Sequence, residues 1–314
     1  MFLMPMSAVG FGAFSGVTGY TIKNAALFDG SDYLTRTPAS EGNTKTFSMS
    51  VWLKLANVAK QQIVCGAGDL NGTFGNDLYF QSNGKLYWEG YHGAGNFDIK
   101  LQCADNFRDP GAWYNIICVY DSTPASPGSS TNKLIVNGIQ LNGGNATFDA
   151  EAYPANNEDS VWNTTIEHVI GYMTTNGGSR HFEGYMADYH FVDGTALAAA
   201  DFGEFDDNGV WTPIKYTGAY GTNGFHLDFA VATGTGNGVG TDVSGNNNHF
   251  SDNGDPAKVT DAPSDSADDN IGNYATLNVL KFASYLDIQE GNLGYRSVSG
   301  GGIATSTIMM SSGK

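Results

Sequence analysis

Positive charge is scarce in this chain: 15 Lys and Arg stand against 32 Asp and Glu, a formal charge of −17 over 314 residues. A surface that acidic repels phosphate backbones and anionic bilayers, so nucleic acid and membrane are excluded as partners. Cysteine is scarcer still. Cys65, Cys103 and Cys118 form an odd set with no Cys-x-x-Cys spacing, which argues against a disulfide framework and a thiolate metal centre. Cys65 and Cys118 lie in apolar, strand-like runs and read as buried thiols suited to a reducing compartment. Long apolar runs are missing too. The opening MFLMPMSAVGFGAFSG is broken by Pro5, Gly10, Gly12 and Gly16 and has no Lys or Arg before Lys23. It is too short for a membrane span and lacks the basic start of a secretory signal.

Catalytic patterns are absent as well. In a glycanase motif written Glu-x-Asp-x-x-Glu, a period of two puts the first Glu and the Asp on one strand face. The nearest segment, EFDDNG, carries Glu204 and Asp206 but ends in Gly209 and reads as a solvated acidic turn. There is no His-Glu-x-x-His, no Gly-x-Ser-x-Gly elbow, and GTGNGVG lacks the Lys-Ser/Thr of a phosphate cradle. The expectation is a protein that is not an enzyme and requires no cofactor.

What the chain does have is glycine, 42 residues, or about twice the usual share of roughly 7%. Short runs of β-formers separated by turn residues recur along it. In TFSMSVWLKL, Phe47, Met49, Val51 and Leu53 alternate with Ser48, Ser50 and Trp52, a period of two. DLYFQSNGKLYWEG reads as a hairpin around Asn83-Gly84, and LIVNGIQL as another with Asn137-Gly138 at its tip. The one helical signal, ALAAADFGEF, is short. These patterns predict an all-β chain: an antiparallel β-sandwich over residues 20–215, an N-terminal arm over 1–19, and a loop-rich extension over 216–314. The predicted core includes Phe47, Val51, Trp113, Ile117, Leu134, Val136 and Phe191. The last third has few large apolar residues and many Asp, a composition that leans toward disorder.

The order of segments carries a resemblance. WYNIICVYD, a polar loop and LIVNG, with ALFDGSDYL, TFSMSVWLKL and FEGYMADYHFVDGTAL around them, resemble the laminin-G-like, or concanavalin A-like lectin, jelly roll. FRDPGAWYNIICVYD, GYMADYHFVDGTAL, SGNNNHF and DAPSDSADDNIGNYATLNVL further resemble a family of phage virion structural proteins over residues 20–285. That resemblance implies a tail or head fibre, or a capsid decoration, assembled in the host cytoplasm and located on the virion. Its partners would be other virion proteins and sister subunits, most simply in a trimer. The alternative is a secreted carbohydrate-binding or carbohydrate-active protein of a cell.

Three sets of site residues follow. Tyr87, Trp88, Tyr91 and Phe97 with Asn96 are candidates for binding a glycan of a host surface, since sugar faces stack on aromatics; Tyr87 and Trp88, being neighbours, must face opposite sides of a strand. Laminin-G-like domains often place calcium at the sheet edge, and Asp29, Asp32 and Asp188 are the candidate ligands, although Ala187 stands where a further Asp is expected. Asp29 also suits a turn cap. Phe2, Leu3, Met4, Phe11 and Phe14 make the arm apolar enough to dock on a virion neighbour.

Overall fold

The computed structural model describes residues 19–69, 74–92, 97–141, 148–175, 178–265, 271–282, 286–297 and 304–307. The strands that build the sandwich and its covers are, in chain order, β1 (Ala25–Asp29), β2 (Tyr33–Arg36), β3 (Thr46–Leu55), β4 (Gln62–Asp69), β5 (Phe74–Phe80), β6 (Lys85–His92), β7 (Phe97–Asn106), β8 (Tyr114–Asp121), β9 (Lys133–Val136), β10 (Ile139–Gln140), β11 (Phe148–Ala152), β12 (His168–Ile170), β13 (Tyr172–Thr175), β14 (Gly178–His181), β15 (Glu183–Asp193), β16 (Gly203–Phe205), β17 (Trp211–Pro213), β18 (Phe225–Leu227), β19 (Ser251–Asn253) and β20 (Ala257–Val259). Two further two-stranded pairs follow, Leu277–Phe282 with Ala304–Ser306 and, between them in sequence, the hairpin Leu286–Gln289 with Gly294–Ser297.

Two antiparallel sheets of eight strands result. The first runs β10-β9-β8-β3-β15-β1-β20, with β18 also on β15; the second runs β11-β7-β6-β5-β4-β12-β2-β19. Helical structure among the described residues is confined to 3-10 turns, one of them at Ala199–Asp201 within the expected segment. None is long and apolar enough to cross a membrane. β18, β19 and β20 lie beyond residue 215 yet pair with β15, β2 and β1, so both sheets draw strands from the segment expected to be an extension.

Asn137 and Gly138 adopt φ of 47° and 75°, the mirror-image turn that matches strand twist and closes the β9–β10 hairpin. Glycine is required at 138 for a second reason: a Cβ there would fall 2.3 Å from the Trp211 ring.

All seven predicted core residues are buried, but in two different places. Phe47, Val51, Leu134, Val136 and Phe191 lie between the sheets. There Phe47 stacks on Tyr120 and Phe191 at 5.1 and 5.4 Å. Trp113 and Ile117 instead belong to a second cluster, with Trp52, Tyr185, Phe202, Trp211 and Ala262, on the outer face of the first sheet. That face is roofed by chain after residue 197. All ten residues of β3 are therefore buried, although its sequence alternates like a strand with one wet face. The serines there bond to the roof and to a neighbouring strand: Ser48 Oγ accepts from the Leu197 amide at 2.8 Å, and Asn115 donates to Ser50 Oγ at 3.0 Å. The three cysteines are free and buried.

Candidate functional site

Among the described residues the first sheet is covered on both sides, and the outer face of the second sheet is the broad surface left open. The Asn83-Gly84 hairpin fixes its register: Leu78 faces Trp88, Tyr79 faces Tyr87, Asp77 faces Glu89 and Gly75 faces Tyr91. Alternate residues point to opposite faces, so Leu78 and Trp88 enter the core while the other three pairs turn outward. Trp88 is fully buried and its Nε1 donates to Asn76 Oδ1 at 3.0 Å. It is removed from the expected binding set, because its ring fills the space between the sheets. Tyr87, Tyr91 and Phe97 are half-buried. Tyr87 meets Tyr79 edge-on at 5.5 Å, Tyr91 meets Phe97 at 6.3 Å, and Lys100 Nζ lies 4.3 Å from the centre of the Phe97 ring. Asn96 lies outside the described residues, as do Phe2, Leu3, Met4, Phe11 and Phe14.

Polar groups missed in the sequence complete this face. Tyr79 donates its hydroxyl to Glu89 Oε2 at 2.7 Å, and Gln102 Nε2 donates to Glu89 Oε1 at 2.5 Å. Burial first, then the Glu89 charge, hold the Tyr79 phenol far above its ordinary pKa, so it remains a neutral donor. The hairpin β13–β14 covers part of the same face. A Cβ at Gly66 would sit 2.0 Å from Met173 Sδ, so glycine lets the hairpin lie flat on the sheet. Ile63, Tyr79, Val169 and Met173 form a small apolar floor, edged by Tyr87 and Tyr91. Beside it opens a cleft of about 420 Å³ lined by Lys60, Gln61, Gln81, Ser82, Ser179, Arg180 and His181. Arg180 Nε donates to Gln61 Oε1 at 2.9 Å, and Lys60 pairs with Glu183 at 2.5 Å. Tyr33, Tyr172 and His181 pack their rings together at 4.7 and 4.5 Å.

Asp77 points to this face but is buried there. Burial first, and then the charge of Glu89, push its carboxyl well above the usual range, and Oδ1 has no hydrogen-bond partner among the described residues. The folded state holds Asp77 protonated while the unfolded chain ionises it, so its contribution falls as pH rises from about 4. Asp77→Asn is expected to raise stability at pH 7 by on the order of 1 kcal/mol, and to leave it unchanged or lower at pH 3, as read by urea unfolding. An equal effect at both pH values contradicts the assignment.

The expected calcium ligands do not converge. Asp29 Oδ1 accepts from the Ser31 amide and hydroxyl at 2.8 and 2.7 Å. Asp32 accepts from the amides of Asp29 and Asp255 at 3.0 and 2.7 Å. Both are turn caps. Asp188 lies apart from them, with His190 and His226, the group of three close ligand atoms found among the described residues. Burial favours the neutral Asp188 carboxyl, but the neighbouring His190 and His226 outweigh it and hold the group below the usual carboxylate range. Glu204 and Asp206 are exposed, and Asp206 Oδ1 caps its turn by accepting from Asn208 and Val210 amides at 2.9 and 2.8 Å.

Residues 28–201 match the Laminin_G_3 family model, described as the concanavalin A-like lectin/glucanases superfamily. Among curated proteins none matches. Solved structures with a similar fold include a native heptameric SAP-like pentraxin from Limulus polyphemus: 15% identity, 57% of this chain and 80% of that chain covered, TM-score 0.39. Domains LG4-5 of the mouse laminin alpha1 chain match at 15% identity over 62% of this chain, with TM-score 0.37, and this chain spans 47% of theirs. The CBM40 of Ruminococcus gnavus IT-sialidase, bound to alpha2,3 sialyllactose, matches at 15% identity over 53% of this chain and 91% of its own, with TM-score 0.35.

Proposed function

Because this chain belongs to the concanavalin A-like lectin/glucanases superfamily, we propose that it is a non-catalytic carbohydrate-binding protein whose binding surface is the outer face of the second sheet. One observation carries the reading: half-buried Tyr87, Tyr91 and Phe97 stand on an open face next to a polar cleft, while the first sheet is covered on both sides. A pyranose presents an apolar C–H face and a rim of hydroxyls. The rings offer a stacking surface for the first, and Glu89, Gln81, Ser82 and Arg180 offer acceptors and donors for the second. The absence of catalysis is part of the proposal. Glu89 is engaged by Tyr79 and Gln102, and Asp77 opposite is enclosed, so among the described residues of the face these carboxyls offer no free acid–base pair.

A glycan array identifies the ligand, and calorimetry measures it. Tyr87→Ala is expected to weaken the best glycan at least tenfold, equivalent to about 1.4 kcal/mol, with the unfolding midpoint nearly unchanged. Undiminished affinity in a folded Tyr87→Ala, Tyr91→Ala double variant overturns the assignment. Placement on a phage particle rests on the sequence resemblance over residues 20–285. There the face would meet a host-surface glycan. Detection of the chain in purified particles by mass spectrometry supports that placement, and its absence from them rules it out.

A further inference from the structure

We infer that Asp188, His190 and His226 form a binding site for a divalent transition metal of the zinc class, separate from the carbohydrate face. The site is built by an irregularity. β15 shifts register against β3 between Ala187 and His190, and Asp188 takes a left-handed φ of 48°. Such a bulge re-aims a side chain at a local cost in backbone energy. Met186 and Tyr189, three residues apart, both face the core between the sheets, so the bulge takes up one residue and leaves Asp188 and His190 together on the outer side; strand pairing sets His226 of β18 directly across from His190.

The two imidazoles stack at 4.1 Å and aim equivalent atoms at one carboxylate: His226 Nε2 is 2.7 Å from Asp188 Oδ1, and His190 Nε2 is 3.0 Å from Oδ2. Neighbouring ligands around a tetrahedral zinc with bonds of about 2.0–2.1 Å are about 3.3 Å apart, so the ion enters only when the two nitrogen–carboxylate contacts open by a few tenths of an ångström and the less buried His226 ring turns out of its stack on His190 to bring both ring planes to one point. His190 Nδ1 is 2.8 Å from the Tyr220 hydroxyl, the kind of outer partner that orients a ligating imidazole. Tyr20 donates to Asp188 Oδ1 at 2.8 Å, which orients the carboxylate. Asp188 and His190 are buried, so the ion would be enclosed by protein. Two imidazole nitrogens with one carboxylate suit zinc and its neighbours, and not calcium, which takes six to eight oxygens. A ligating Nε2 offers its lone pair, so binding releases any proton held there.

The test uses the full chain, stripped with a chelator and titrated with Zn2+ alone, then with Ca2+ alone. One Zn2+ per chain, a raised unfolding midpoint, and no response to Ca2+ at equal concentration are expected. His226→Ala and the milder His226→Gln should each weaken Zn2+ at least a hundredfold, and Tyr220→Phe by roughly tenfold. Co2+ in place of zinc should give the intense visible bands of a tetrahedral ion, a readout on the wild-type chain that decides the matter if neither variant folds. Absence of Zn2+ binding at micromolar concentration, absence of the Co2+ bands, or undiminished binding in a folded His226 variant overturns the site. None of these outcomes depends on glycan binding.

Discussion

Lys54→Met is expected to destabilise the protein by about 3–5 kcal/mol, lowering the unfolding midpoint by roughly 10 °C. Lys54 is almost completely buried and donates to Asp261 Oδ2 at 2.7 Å, Asn273 Oδ1 at 3.0 Å and the Tyr274 carbonyl at 3.1 Å. Its ammonium also lies 5.0 Å from the centre of the Tyr185 ring. Asp261 is equally enclosed, and its second oxygen accepts from Trp113 Nε1 at 3.3 Å. Burial pulls the Lys54 ammonium down and the Asp261 carboxyl up, so the pair as a whole adds little net stability. Removing one member is the costly act, because the other is left charged and unpaired away from water. The double variant Lys54→Met, Asp261→Leu should therefore cost clearly less than the sum of its parts. The pair pins residues 261–265 and 271–274 against the first sheet, so amide exchange there should accelerate in the single variant. A loss below about 1 kcal/mol, or strict additivity, would show that the segment is held by other contacts.

Acidification from pH 7 to pH 4.5 is expected to remove about 2–3 kcal/mol more stability from the wild type than from a His168→Gln variant. His168 is enclosed, its Nε2 accepts from the Asn163 amide at 3.0 Å, and its Nδ1 donates to the Ile166 carbonyl at 2.9 Å. Protonating Nε2 would turn the acceptor into a second donor facing an N–H. Burial, and then the nearby Arg36 charge, push the imidazole down to about 4 from its ordinary 6.5. In the unfolded chain it takes its proton near pH 6.5. The stabilisation is thus complete above that pH and is lost as pH falls through 4. The variant, already weaker at pH 8 for want of these hydrogen bonds, should show a flatter profile. Parallel profiles for the two proteins contradict the assignment.

Much of this architecture is legible in the residues. The Asn-Gly turns, the strand runs and the sandwich follow from local chemistry, because a left-handed turn and a period of two need no distant partner. Reading the Asn83-Gly84 hairpin through to its register also sends Trp88 inward opposite Leu78 and turns Tyr87 outward. What remained hidden depends on chain far away. Ser48 and Ser50 look solvent-facing, since alternation records a change of face and not what lies beyond it; the roof after residue 197 buries them. The acidic last third is short of apolar residues, yet within residues 226–252 carboxylates capping backbone hold the chain. Asp242 accepts from the amides of His226, Ser244 and Asn248, and Asp252 from those of Val239 and Gly240. His190 and His226 meet only because β18 pairs with β15, and no spacing announces that. The polar cleft is assembled from four separate segments, at Gly30, 60–61, 81–82 and 179–181, and left no motif for the same reason.

A crystal of the chain soaked with the glycan selected on the array locates the ligand directly. The sugar is expected on the outer face of the second sheet, one pyranose stacked on Tyr87 and its hydroxyls within hydrogen-bond reach of Gln81, Ser82 or Glu89. A sugar held only at the loops of the sandwich or against the roof of the first sheet, with the Tyr87 face bare, contradicts the assignment of that face as the binding surface.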